Sequence, residues 1–65
     1  MKLQVNQRGA WRDVVEFEPA QLRHIQTATI PLARELGDWA VWRITQDSRT
    51  AIAYLEAPGF AWSKR

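Results

Sequence analysis

The chain has 65 residues, nine Lys and Arg against seven Asp and Glu, and no cysteine, so one small domain, residues 1 to 65, is expected and no second. The absence of Cys excludes a disulfide staple, a thiolate nucleophile and a Cys-ligated zinc. Apolar residues at 46% and charged residues at 25% match a folded globular domain and not a disordered chain.

Residues 2 to 7 alternate, with Leu3 and Val5 on one face, and lead into Arg8-Gly9-Ala10, where glycine can take the positive φ of a tight hairpin turn. A return strand is predicted from Trp11 to Glu18, with Trp11, Val15 and Phe17 on one face and Arg12, Val14, Glu16 and Glu18 on the other. Pro19 suits a first helical position, and the stretch to Leu36 changes to a period of 3.6. Leu22, Ile25, Thr29, Leu32, Ala33 and Leu36 form its apolar stripe; Arg23, His24, Thr27, Arg34 and Glu35 lie opposite. Pro31 removes one backbone hydrogen bond and sits on the solvent side, which predicts a kink and not a break, and Gly37 is the stop.

Residues 39 to 46 are aromatic and β-branched with a single charge and read as a third strand. A polar turn over residues 46 to 49 leads to a fourth strand over residues 50 to 56, and residues 57 to 65 form a short tail. The predicted fold is α+β: two β-hairpins in the order β-β-α-β-β form a four-stranded sheet, with one kinked helix packed on one face. A helical crossover makes the second and third strands run in the same direction.

One helix covers one face of such a sheet. The alanines favour close helix approach, so Ala40, Trp42, Ile44, Ala51, Ala53 and Leu55 are assigned to the helix side with Val15 and Phe17. The open face then carries Trp39, Val41, Ile52 and Tyr54 beside Arg12, Glu16 and Arg43. An apolar face flanked by arginine calls for a cover. Three covers are considered: the tail folding back to lay Phe60 and Trp62 over it, a homodimer, or a different macromolecule.

The catalytic inventory is poor. His24 is the only imidazole and lies on the polar stripe of the helix; Ser48 and Ser63 fall in a turn and a tail. Glu16 and Glu18 share a strand face at a spacing that solvated strands show by chance, and the glycines stand apart at Gly9, Gly37 and Gly59, so no phosphate loop exists. A core this small also argues against a pocket above about 300 Å³. These features predict no catalytic residues, no metal, no cofactor and no small-molecule substrate.

Charge is unevenly spread: residues 1 to 12 carry +3, residues 13 to 38 carry −3 and residues 39 to 65 carry +2. Such blocks suit contacts with a partner or between copies better than a groove tracking phosphates. Gly59-Phe60-Ala61-Trp62 resembles the middle of the RNP1 signature of RNA-recognition motifs, which implies base stacking on aromatic residues. Pro58 stands where that signature has Lys or Arg and Ser63 where it has an apolar residue, and the chain is too short for that fold.

The leading expectation is therefore a non-enzymatic interaction protein that binds or inhibits a protein partner, or forms a homodimer, through Trp39, Val41, Arg43, Ile52, Tyr54, Arg12 and Trp62. The alternative is a nucleic-acid-binding protein using Arg43, Arg49, Arg12, Phe60 and Trp62. No apolar run spans a bilayer, and residues 1 to 5 lack the apolar core of a signal peptide, so a cytoplasmic location without membrane contact is expected. Small inhibitors carried by phages or mobile elements fit this description by size.

Overall fold

The computed structural model describes residues 1–47 and 50–64. Strand β1 (Lys2–Gln7) turns into β2 (Ala10–Glu16); a 3-10 turn (Pro19–Gln21) opens helix α1 (Leu22–Leu36); a second 3-10 turn (Gly37–Trp39) precedes β3 (Val41–Thr45) and β4 (Ala51–Leu55). The class and the β-β-α-β-β order agree with the sequence reading. The sheet is antiparallel throughout with strand order β2-β1-β3-β4, so the crossover carries the chain past β1 to its far side. Strands β2 and β3 run in the same direction, as predicted, without being neighbours.

Arg8 and Gly9 both have positive φ, 65° and 87°, which is the two-residue turn whose twist matches a hairpin. The Asn6 side-chain carbonyl accepts the Gly9 N–H at 3.1 Å and pins it. This short turn sets the register Gln7 to Ala10, Asn6 to Trp11 and Val5 to Arg12. The register shifts between Leu3 and Gln4, which pair with Val15 and Asp13 and leave Val14 as the extra residue of a β-bulge.

That bulge corrects the predicted faces. Val5 packs against the core, so its neighbour Arg12 stands on the helix side, while Trp11 and Asp13 stand on the open side. Beyond the bulge, Val15 and Phe17 return to the helix side as expected, with Phe17 buried and exchanging hydrogen bonds with Met1. A second shift between Ile44 and Thr45 leaves Ile52 as an extra residue in β4, and it packs against the core. Its assignment to the open face is thereby corrected.

The helix begins later than predicted, after the 3-10 turn, where the Glu18 N–H donates to the Gln21 side-chain oxygen at 3.0 Å. It runs through Pro31 without a break and stops at Gly37, whose φ is 73° and whose N–H bonds to Ala33. Thr29 and Ala33 are buried, and Leu22, Ile25, Ile30 and Leu36 flank them against the core. Leu32 is the exception in the predicted stripe: it is exposed, and Ile30 takes the inward place. Leu3, Trp42, Ile44 and Leu55 meet the helix from the sheet; Ile44 and Leu55 have no exposed surface. Burying a side chain of this kind contributes about 1.5–3 kcal/mol.

The tail folds back, but not over the open face. Tyr54 and Ser63 exchange backbone hydrogen bonds of 2.8 and 2.9 Å along the outer edge of β4. The Trp62 indole N–H donates to the carbonyl of Gln26 in α1 at 2.8 Å, and Phe60 and Trp62 pack against the core. Among the described residues no helix is long and apolar enough to cross a membrane.

Candidate functional site

Two groups of aromatic and arginine side chains stand at the surface, and they are wired differently. The first lies on the open sheet face. Trp11 on β2, Arg43 on β3 and Tyr54 on β4 come together because Asn6 pairs with Trp11, Gln4 with Arg43, and Arg43 with Tyr54. The Arg43 guanidinium carbon lies 4.0 Å from the Trp11 ring centroid, a cation–π stack. Tyr54 meets the same ring edge to face, with centroids 6.5 Å apart and planes at 64°.

Polar side chains extend this contact into a network. Arg43 Nε donates to Gln4 Oε1 at 2.8 Å, and Gln4 Nε2 donates to Asp13 Oδ1 at 2.7 Å. Lys2 Nζ donates to Asp13 Oδ2 at 3.4 Å. The hydrogen bond from Gln4, then that from Lys2, hold the Asp13 carboxyl below its ordinary value. On this face Trp11, Val41, Arg43 and Tyr54 are all half-buried. Its aromatic rings and polar side chains engage one another.

The second group lies at the turn end of the first hairpin. Gln7, Arg8, Arg12 and Trp39 line a cleft of about 140 Å³. Trp39 belongs to the 3-10 turn before β3 and not to the strand, which detaches it from the Val41 and Arg43 face. At 54% exposure it is the most exposed of the large hydrophobic side chains. Arg12 reaches this end because the hairpin register puts it opposite Val5. Among the described residues the one ion pair is Lys2 with Asp13, so Arg8 and Arg12 have no acidic partner.

The structure thus divides the predicted partner residues. Arg43, Val41 and Tyr54 share the open face; Trp39 and Arg12 share the turn-end cleft; Ile52 and Trp62 turn toward the core. For the nucleic-acid set, Phe60 and Trp62 pack inward instead of presenting rings on a strand, and Arg49 lies outside the described residues, as does Ser48. Trp11, Gln4 and Asp13 on the open face, and Arg8 in the cleft, are the residues sequence reasoning missed. Counting outward from a two-residue Arg8-Gly9 turn finds Trp11 and Arg12 on their observed faces.

Two further surface hollows exceed the expected pocket size. One of about 440 Å³ is lined by Met1, Glu16, Phe17, Glu18 and Gln21; the other, of about 460 Å³, lies between α1 and β4 beside Trp62. Glu16 and Glu18 do not share a strand face, since Glu18 is outside β2 at the start of the 3-10 turn. Among the described residues no three His, Asp or Glu side chains gather as a metal-binding group. His24 is exposed on the outer side of α1. No protein-family model matches the chain, and no curated protein or solved structure matches it either.

Proposed function

We propose that this chain is a non-enzymatic binding domain that docks on another protein, with Trp39 as its anchor and Arg8 and Arg12 beside it. The observation that carries this reading is the exposure of Trp39 in a cleft whose arginines have no acidic partner among the described residues. Trp and Arg are the side chains most enriched among binding hot spots, and a cleft well below the about 300 Å³ of small-molecule sites suits one partner side chain. Docking of this kind blocks or recruits a larger protein. The open face supports the domain instead of serving as its contact surface, since its charges and rings are used internally.

The test is Trp39→Ala, measured for both stability and binding. Folding stability is expected to stay within about 0.5 kcal/mol of wild type, because the side chain is exposed. A protein retrieved with the wild-type chain, purified and rebound at defined stoichiometry, is expected to lose about 2 kcal/mol of affinity, roughly thirty-fold. A partner that binds Trp39→Ala as tightly as wild type sinks this reading. So does a large loss of stability, which would make Trp39 part of the core.

A further inference from the structure

Resting on the reading of Trp39 as an anchor, we infer that the partner offers an acidic segment, one carboxylate engaging Arg8 and Arg12 while a neighbouring apolar side chain lies on the indole of Trp39. The argument is one of charge and geometry. Arg8 and Arg12 both line the same small cleft, and neither has an acid paired to it among the described residues. Guanidinium presents its donors as a planar fork that matches carboxylate oxygens two at a time. Arg8 sits in a turn pinned by the Asn6 side chain, so its backbone is already ordered before a partner arrives.

The same surroundings argue against a polyanionic strand. Asp38 adjoins Trp39 in the 3-10 turn. A phosphate backbone carries charge at every step and would meet Asp38 where it passes Trp39, whereas a peptide can put its carboxylate only where the arginines are. A cleft of about 140 Å³ takes a single side chain, which fits a short acidic and apolar motif.

The experiment follows the anisotropy of labelled probes added to the full chain: a Glu/Leu peptide, its Gln/Leu counterpart and an oligothymidylate of equal length. The Glu/Leu peptide is expected to bind about tenfold or more tightly than the Gln/Leu peptide, with added salt narrowing the gap. Arg8→Asn, which keeps a residue at ease with positive φ, and Arg12→Gln are each expected to cost about tenfold for the Glu/Leu peptide alone. Trp39→Ala is expected to weaken both peptides. Equal binding of the two peptides, or indifference to both arginine variants, overturns the acidic partner while leaving Trp39 docking intact if Trp39→Ala still weakens them. Failure of the Glu/Leu peptide to bind overturns the inference outright. Tighter binding of the oligonucleotide reassigns the cleft to nucleic acid, and a concentration-dependent doubling of mass lost in Arg12→Gln reassigns it to a second copy.

Discussion

The open sheet face and the turn-end cleft hold the same kinds of side chain and do opposite things with them. On the sheet, Arg43 lies over Trp11, donates one hydrogen bond to Gln4 and borders Tyr54, so its Nε and the ring face are engaged within the chain. At the turn, Trp39 is more than half exposed and two arginines beside it lack an acid among the described residues. Aromatic and arginine content alone therefore does not tell whether the groups of a surface are engaged within the chain. What separates the two is whether the interactions those groups can make have already been made at home.

The sharpest way to break this contrast is Trp11→Ala. It removes the ring on which Arg43 and Tyr54 rest and is expected to cost about 2 kcal/mol of stability. For a domain of this size that lowers the melting midpoint by roughly 10 °C, read by calorimetry. Binding at the cleft should change less than about twofold, since Trp11 faces the other side of the sheet. A stable Trp11→Ala variant that loses its partner would move the site back to the open face.

Arg43→Ala should come next, at about 1 kcal/mol, from the lost stack and the lost bond to Gln4. Urea unfolding of Arg43→Ala, Trp11→Ala and the double variant measures the coupling: if the stack matters, the double variant loses less than the two singles together. Strict additivity would show that the stack contributes nothing. Trp39→Ala belongs lower on the scale of stability, within about 0.5 kcal/mol, with its effect confined to binding.

Asp13→Asn should have the smallest effect, and one confined to acid. The folded carboxyl titrates below its ordinary value of 3.8, because Gln4 and Lys2 bond to the ionised form. Its stabilising contribution is complete above that value and is lost as pH falls through the lower, folded one. Stability curves of wild type and Asp13→Asn should therefore converge on acidification below 3.8 and differ by a constant amount at neutral pH. A gap that persists unchanged in acid would assign the difference to something other than this carboxyl.

Much of the architecture was legible because local signals agree with it. Gly9 and Gly37 take the positive φ that their positions demand, and Leu3 and Val5 alternate toward the core. Arg23, His24, Thr27, Arg34 and Glu35 all lie exposed on the predicted outer side of α1. The candidate site was far less legible. Alternation through residues 11 to 18 takes every step as regular, and the bulge at Val14 inserts one residue that reverses all faces before it. Trp39 was misplaced for a related reason: residues 39 to 41 alternate in composition, but the 3-10 turn ends only at Trp39, so the strand starts too late to hold its side chain.

By itself the sequence determined the class, the order of elements, the two glycine turns and the polar side of the helix, because these depend on φ preference and on periodicity within a few residues. Only the tertiary structure decided that β3 docks beside β1, that the tail runs along the edge of β4, and that Trp11 and Trp39 part company. Each of these is a choice between partners distant in the chain. It turns on which pairing buries Leu3, Trp42, Ile44 and Leu55 together with α1, and no local window contains that comparison.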